Sequence, residues 1–382
     1  MLHLTEAQQH ILQMVSSFSQ QQIWPNAAKW DAEEYFPKDV LLQAAELGLA
    51  GLFVSEDIGG SQLSRLEGAL IFAELASGCA STSAFLSIHN MVATLVDKYA
   101  TSEIRQYWGP QLTSMQVIGS YCLTEPNSGS DAAALKTTAV DCGDHFLVNG
   151  SKAFISGAGI SDVYVTMVRT GGQDYKGIST LLISKDLPGI RFGIKEHKMG
   201  WRNQPTAMVY FEDCKVPKSH LMGELGMGFR YALQALNGGR INIAACSLGG
   251  AKQAMKLTQQ YMQERIQFGK SLANMQALRF EFAEMLIDYE AAKLMLLKAA
   301  SLIDDKDEIA PRFCAMAKKF VTDKASDIVD RCLQLHGGYG YLNDYHIERI
   351  YRDLRVHKIL EGTNEIMCEI IAKSVFDDEL AW

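Results

Sequence analysis

The spacing of apolar residues changes twice along this chain, from helical to alternating and back, and that succession limits the fold more than any single motif. From Thr5 to Gln111 apolar residues recur at three- and four-residue intervals, as at Ile11, Met14, Val15 and Phe18, then at Val40, Leu41, Ala44, Ala45 and Leu49. A helical domain over 1–116 is predicted, with its helices separated at Pro25, Pro37 and the Gly59-Gly60 pair. Between 117 and 226 the β-branched runs HFLVNG, DVYVTMV, GISTLLI and AMVYFED follow one another, divided by Gly, Asp and Pro turns. No helix-length segment separates them regularly, so an antiparallel sandwich or barrel is favoured over a doubly wound parallel sheet. From 227 to 382 the helical period returns over 241–265, 276–303, 310–335 and 365–376, four amphipathic stretches that suit a bundle. The expected class is α+β: an N-terminal helical domain, a middle antiparallel β domain and a C-terminal four-helix bundle, with no internal repeat or low-complexity tract.

Composition removes several functions. A chain of 382 residues that is 48% hydrophobic can bury a large core, which argues against disorder. A net charge of −8, with both signs interspersed, offers no basic face to a nucleic acid. The eight cysteines form no CxxC pair, so neither a zinc knuckle nor a redox dithiol is expected, and no metal site is predicted. They read as reduced, mostly buried thiols. The opening MLHLTEAQQHILQMV lacks a signal peptide's basic and apolar regions and a presequence's arginines, and no window reaches the roughly 18 apolar residues of a membrane span. A bacterial cytoplasmic protein is expected, or a processed chain of the mitochondrial matrix.

Five segments carry candidate chemistry. YCLTEPNSGSD, residues 121–131, gathers hydroxyls, a proline and small residues into a loop that can bring backbone N–H groups to a heteroaromatic ring or a phosphate. An ordinary turn around Pro126 and Gly129 explains it equally well. FISGAG, 154–159, reads on its own as core followed by a turn. LNGGRI, 236–241, places two glycines before Arg240 where the first long helix of the bundle is expected to begin, leaving room for a ligand or simply starting a helix. QLHGGYGYLND, 334–344, follows a helical pattern, and a C-cap accounts for its glycines. LEGTNE, 360–365, sets a carboxylate among apolar residues, as proton abstraction beside a carbonyl requires, although a surface glutamate before a Thr or Asn cap has the same pattern. Two nucleotide readings fail: Glu264 stands where a P-loop ending in GKS needs its first glycine, and Asn343 stands where GxGxxG needs its third.

Together and in this order, YCLTEPNSGSD, KAFISGAG, GWRNQPT, FEDCKVP, LNGGRINIA, HGGYGYLNDY and VHKILEGTNE resemble the acyl-CoA dehydrogenase family over essentially the whole chain, and most of all its isobutyryl-CoA branch. The resemblance implies an FAD enzyme that oxidises a short, branched acyl-CoA. It makes Glu361 the base that takes the α-proton while a hydride leaves the β-carbon for the flavin. The thioester carbonyl would be held by the Glu361 backbone N–H and a ribityl hydroxyl of FAD. The resemblance places Tyr121, Cys122, Leu123, Thr124, Gly129 and Ser130 along the cofactor, with Ser130 also reaching the substrate, and Phe154, Ile155 and Ser156 against the isoalloxazine. Asn237, Gly238, Gly239 and Arg240 would line the substrate site. Arg265, Gln276, Gln334, Leu335, His336, Gly337 and Gly338 would bind FAD from a neighbouring subunit of a homotetramer, and Thr363, Asn364 and Glu365 would complete the cofactor site. Lys373 stands where relatives tend to have an arginine near the substrate, which keeps the charge and loses the bidentate fork. Phe154 replaces a larger indole of many relatives. Electrons would pass to an electron-transferring flavoprotein. A flavin oxidase of the same fold and a silent acyl-CoA-binding scaffold are the other functions considered, and an intact Glu361 argues against the scaffold.

Overall fold

The computed structural model describes residues 4–376. Six helices come first: α1 (Glu6–Phe18), α2 (Trp24–Glu33), α3 (Lys38–Glu46), α4 (Arg65–Gly78), α5 (Ala80–Tyr99) and α6 (Ser102–Thr113). Reciprocal capping boxes start two of them, Thr5 with Gln8 on α1 and Ser64 with Glu67 on α4. The break expected at Pro25 is absent. A π-helical turn, Ser19–Ile23, joins α1 to α2 without leaving helical geometry, and Pro25 sits in the first turn of α2, where its missing N–H costs no hydrogen bond. The other two breaks hold. Pro37 is the N-cap of α3, and Gly59 ends a short 3-10 turn at φ 85°.

The middle region is one eight-stranded sheet: β1 (Gly119–Cys122), β2 (Thr138–Asp141), β3 (His145–Ser156), β4 (Val163–Arg169), β5 (Ile178–Ser184), β6 (Ile190–Phe192), β7 (Thr206–Pro217) and β8 (Leu221–Met222). The spatial order is β6-β7-β3-β2-β4-β5-β8, with β1 beside β4. Its pairings are antiparallel except two: β1 runs parallel to β4, from Gly119 opposite Val163 to Cys122 opposite Thr166, and β2 meets β4 in parallel at Thr138 and Arg169. The β2–β3 excursion between β1 and β4 supplies the long connection that a parallel pair needs. This parallel element has no signature in a strand's own alternation.

The chain then returns to helix with α7 (Gly228–Glu264), a small hairpin of β9 (Ile266–Gln267) and β10 (Lys270–Ser271), α8 (Gln276–Asp304), α9 (Ala310–His336), α10 (Ile347–Arg355) and α11 (Asn364–Phe376). Two differences from expectation matter. Helix α7 begins at Gly228 and not at 241, so the LNGGRI segment lies inside a helix rather than at its start, and the short α10 is additional. Helix α9 packs against α7, α8, α10 and α11, while α4 and α5 lie against α7. One apolar core therefore runs from Val15, Phe72 and Phe85 through Ile241 and Ala245 to Ala300 and Val321. All eight cysteines are free thiols, six of them buried. Among the described residues no helix is long and apolar enough to cross a membrane, and no cluster of His, Cys, Asp or Glu could hold a metal ion.

Candidate active site

Glu361 sits in the turn between α10 and α11, where Thr363 caps α11 by accepting from the Ile366 amide at 3.3 Å. Two consecutive residues of this turn are left-handed, Glu361 at φ 57° and Gly362 at φ 88°. Glycine adopts that conformation freely, whereas holding a glutamate there costs on the order of 1 kcal/mol and needs support from its surroundings. Two buried cations supply it. Arg240 on α7 donates from Nε to the Glu361 carbonyl at 3.3 Å and from Nη1 to Asn237 Oδ1 at 2.8 Å. Lys318 on α9 donates from Nζ to the Gly362 carbonyl at 2.7 Å and to Asn364 Oδ1 at 2.8 Å. Asn364 in turn donates to Thr322 Oγ1 at 3.0 Å and Asp323 Oδ1 at 2.9 Å.

The Glu361 carboxylate projects over a gap in α7. A Cβ added at Gly239 would stand 2.5 Å from Glu361 Oε2, so the glycine is what lets the carboxylate lie there. Oε2 is shielded from solvent and has no hydrogen-bond partner. Burial pushes the carboxyl up to about 7, against the opposing pull of Arg240 and Lys318. The Tyr121 hydroxyl on β1 is a second buried polar atom without a partner, and burial together with the negative charge of Glu361 raises its pKa. A carboxyl poised near neutrality, with one oxygen free, is suited to taking a proton from a carbon acid.

Beside this turn lies the 121–131 loop that follows β1. Glu125 holds it: its carboxylate accepts from the Lys136 and Thr137 amides at 2.7 and 2.9 Å and from the fully buried Lys152 Nζ on β3 at 2.8 Å. Lys152 also donates to the Leu123 carbonyl at 3.1 Å, and the Ala153 amide to the Thr124 carbonyl at 2.8 Å. Immediately after this anchor β3 bulges between Lys152 and Ile155, and Phe154 is thrown outward at φ 58°, 70% exposed. A strained aromatic near the end of a strand offers an exposed ring face on which a flat group can stack. Gly129 borders open space, and Ser130 is exposed, so a flat heteroaromatic system with polar edges fits this loop. Cys122 and Ile155 are buried in the sheet core, so of these residues only the main chain can reach a ligand.

Three family descriptions match the chain in order: the acyl-CoA dehydrogenase N-terminal domain over residues 5–116, its middle domain over 120–214 and its C-terminal domain over 226–376. The chain belongs to the acyl-CoA dehydrogenase family. It is 52% identical over 377 residues to the mitochondrial isobutyryl-CoA dehydrogenase of Dictyostelium discoideum, covering 98% of this chain and 91% of that protein. To the isobutyryl-CoA dehydrogenase of Bos taurus it is 47% identical, covering 98% and 90%. The solved structure of butyryl-CoA dehydrogenase from Megasphaera elsdenii superposes with a TM-score of 0.95 at 31% identity, covering 98% of this chain and 99% of that one. As an acyl-CoA dehydrogenase the protein is an FAD-dependent oxidoreductase.

The structure divides the expected site residues of this dehydrogenase into two groups. Glu361, Gly239, Arg240, Asn237 and Asn364 meet at the turn, although the Asn364 side chain is consumed by Lys318, Thr322 and Asp323. Gly238 abuts the Arg65 guanidinium instead, which lies 3.7 Å above the Phe53 ring. Thr363 serves as a cap, and Glu365 is exposed. The second group gathers elsewhere. Arg265 lies 5.2 Å over the Tyr339 ring, His336 stacks on Tyr261 at 4.3 Å, and Gln276, Gln334, Gly337 and Gly338 are exposed, with Leu335 half-buried. Arg265 is about 40 Å along α7 from Gly239, so the two groups lie well apart in the chain. Lys373 is exposed in the last turn of α11, about 13 Å along the helix from its start. Lys318 and Arg65 escaped sequence reasoning. The signal for Lys318 was a lysine on the same helical stripe as Cys314, Val321 and Ala325, all buried.

Proposed function

We propose that this chain removes two hydrogens from the α and β carbons of a short, branched acyl-CoA, isobutyryl-CoA foremost, to give the 2-enoyl-CoA, with Glu361 as the base. The observation that carries this reading is the Glu361 carboxylate, raised to about 7, unpartnered at Oε2 and set over Gly239. Such a group takes the α-proton at neutral pH, and the left-handed turn leaves its backbone N–H to donate to the thioester oxygen as enolate charge develops. FAD, when bound, supplies the two-electron oxidant that accepts the β-hydride. Thr124, Gly129, Ser130, Phe154 and Ser156 would hold it, while the buried Tyr121 hydroxyl faces Glu361. The isobutyryl-CoA dehydrogenase names of the relatives at 52% and 47% identity support the choice of substrate. One methylene in an apolar pocket discriminates by about 1–3 kcal/mol, so related short thioesters are expected to react more slowly rather than not at all.

The remaining candidates suit a homotetramer divided along 1–116, 117–226 and 227–382. In it Arg265, Gln276 and residues 334–338 would complete the FAD site of a neighbouring subunit. The apolar stripe Phe280, Ile287 and Leu294 on the exposed face of α8 supports this assembly. An electron-transferring flavoprotein would reoxidise the cofactor, in the mitochondrial matrix of a eukaryote or the cytoplasm of a bacterium. The test is the visible spectrum of purified protein before and after anaerobic addition of isobutyryl-CoA, butyryl-CoA and octanoyl-CoA. A yellow band that bleaches fastest with isobutyryl-CoA is the expected result. Protein that stays colourless after reconstitution with FAD, or a bound flavin indifferent to all three thioesters, would overturn the reading.

A further inference from the structure

We infer that Lys318 is a positioning residue of the reaction: its ammonium pins the left-handed Glu361-Gly362 turn and orients the base. The inference rests on the proposed role of Glu361.

The geometry sets Lys318 apart from an ordinary helix lysine. It is fully buried within α9, on a face it shares with Cys314, Ala317, Val321, Thr322 and Ala325. A lysine in such a position costs several kcal/mol unless each donor finds an acceptor. Its acceptors are the Gly362 carbonyl at 2.7 Å and Asn364 Oδ1 at 2.8 Å, and among the described residues it forms no ion pair with a carboxylate. The charge is therefore spent on the Gly362 carbonyl of the turn and on the Asn364 side chain at the start of α11. The Arg240 bond to the Glu361 carbonyl fixes the peptide unit 361–362, and the Lys318 bond to the Gly362 carbonyl fixes the next one, 362–363. With both fixed, Glu361 has little freedom to relax out of its strained φ of 57°. Releasing either lets the side chain leave the gap over Gly239.

The ammonium also sets the electrostatics. Among the described residues, the charged or titratable groups that face Glu361 are Arg240 from α7, Lys318 from α9 and Tyr121 from β1. Behind them, Asp323 and Glu365 act on Lys318, while Cys314 acts on Arg240. Burial holds Lys318 down to about 8, and the negative charge of Glu361 opposes that. Lys318 is one of the two cations that pull the Glu361 carboxyl down, so removing it moves that carboxyl further up.

The test compares wild type with Lys318→Met and Lys318→Gln, each reconstituted with FAD. Readouts are the pH dependence of anaerobic flavin bleaching by isobutyryl-CoA, thioester affinity from spectral titration, flavin content and melting temperature. Expected are flavin retention, thioester affinity within about threefold of wild type, a bleaching rate lower by about 100-fold, and an ascending limb of the pH profile displaced upward by about one unit in Lys318→Met. Lys318→Gln, which keeps a donor, should recover part of the rate and none of the displacement. A wild-type rate and profile in both variants would overturn the inference. So would loss of flavin or of folding in both, since Lys318 would then be a residue of stability alone. Wild-type protein that fails to bleach would instead overturn the role of Glu361.

Discussion

Position 361 places opposed demands on one side chain. Fold stability favours a neutral residue with an unstrained backbone, whereas the proposed chemistry uses a buried carboxylate, held here at a left-handed φ. The conflict has a sign. The ordinary carboxyl value is 4.5 and the folded value about 7, so the contribution of Glu361 to stability is fully present below 4.5 and is lost as pH rises through about 7. The loss amounts to no more than about 3 kcal/mol. Glu361→Gln should therefore gain stability relative to wild type between pH 5 and pH 8, measured by denaturant unfolding at both, while binding FAD and acyl-CoA and failing to bleach. An unchanged difference between the two proteins at both pH values would contradict the burial of a charged Glu361. Gly239→Ala probes the same carboxylate from the opposite direction. Its methyl would stand 2.5 Å from Oε2, the free end of a flexible side chain, so the fold can yield while the base is displaced. Bleaching should slow by about 100-fold with little change in melting temperature, since misplacement by an ångström is costly for chemistry and cheap for packing.

At the level of the element, the buried Lys152–Glu125 pair ties β3 to the 121–131 loop. Lys152→Met leaves Glu125 buried without its cation, and the expected loss is about 3–5 kcal/mol of stability together with weaker retention of FAD. Adding Glu125→Gln should restore part of both, read by thermal melts and by flavin content after gel filtration. This loop also shows what a sequence can and cannot express. The strands around it were legible because alternation is a local property: HFLVNG and AMVYFED lie in β3 and β7. The partner of β1 was not legible, because pairing with β4 is decided by the sheet and not by the four residues Gly119–Cys122. Helix α7 was cut short at 241 since Gly238 and Gly239 read as punctuation at about 1 kcal/mol each. Tertiary contacts overrode that cost, each glycine making room for a side chain, Arg65 beside one and Glu361 beside the other. Pro25 misled for a related reason, since its effect depends on where in a helix it falls. Glu361 was found through its motif, whereas its support from Lys318 required two helices to be brought together.

For the whole molecule the decisive object is α7, a helix of 37 residues with Gly239 in its first third and Arg265 just past its C-terminal end. The first faces Glu361, the proposed base, and the second lies in the patch proposed to complete a neighbour's cofactor site. If the proposed tetramer is the assembly, Ile287→Glu, which places a charge in the α8 stripe, should yield smaller species in sedimentation velocity, with flavin lost in proportion. Tetramers that persist with this variant would remove the stripe from the interface. The arrangement of α7 also has a consequence for anyone assaying the enzyme. In the proposed tetramer, a subunit that lends Arg265 to its neighbour's cofactor while using Gly239 for its own chemistry would not be fully active alone. Turnover per subunit should then fall on dilution and return on reconcentration, turning a simple concentration series into a titration of the assembly.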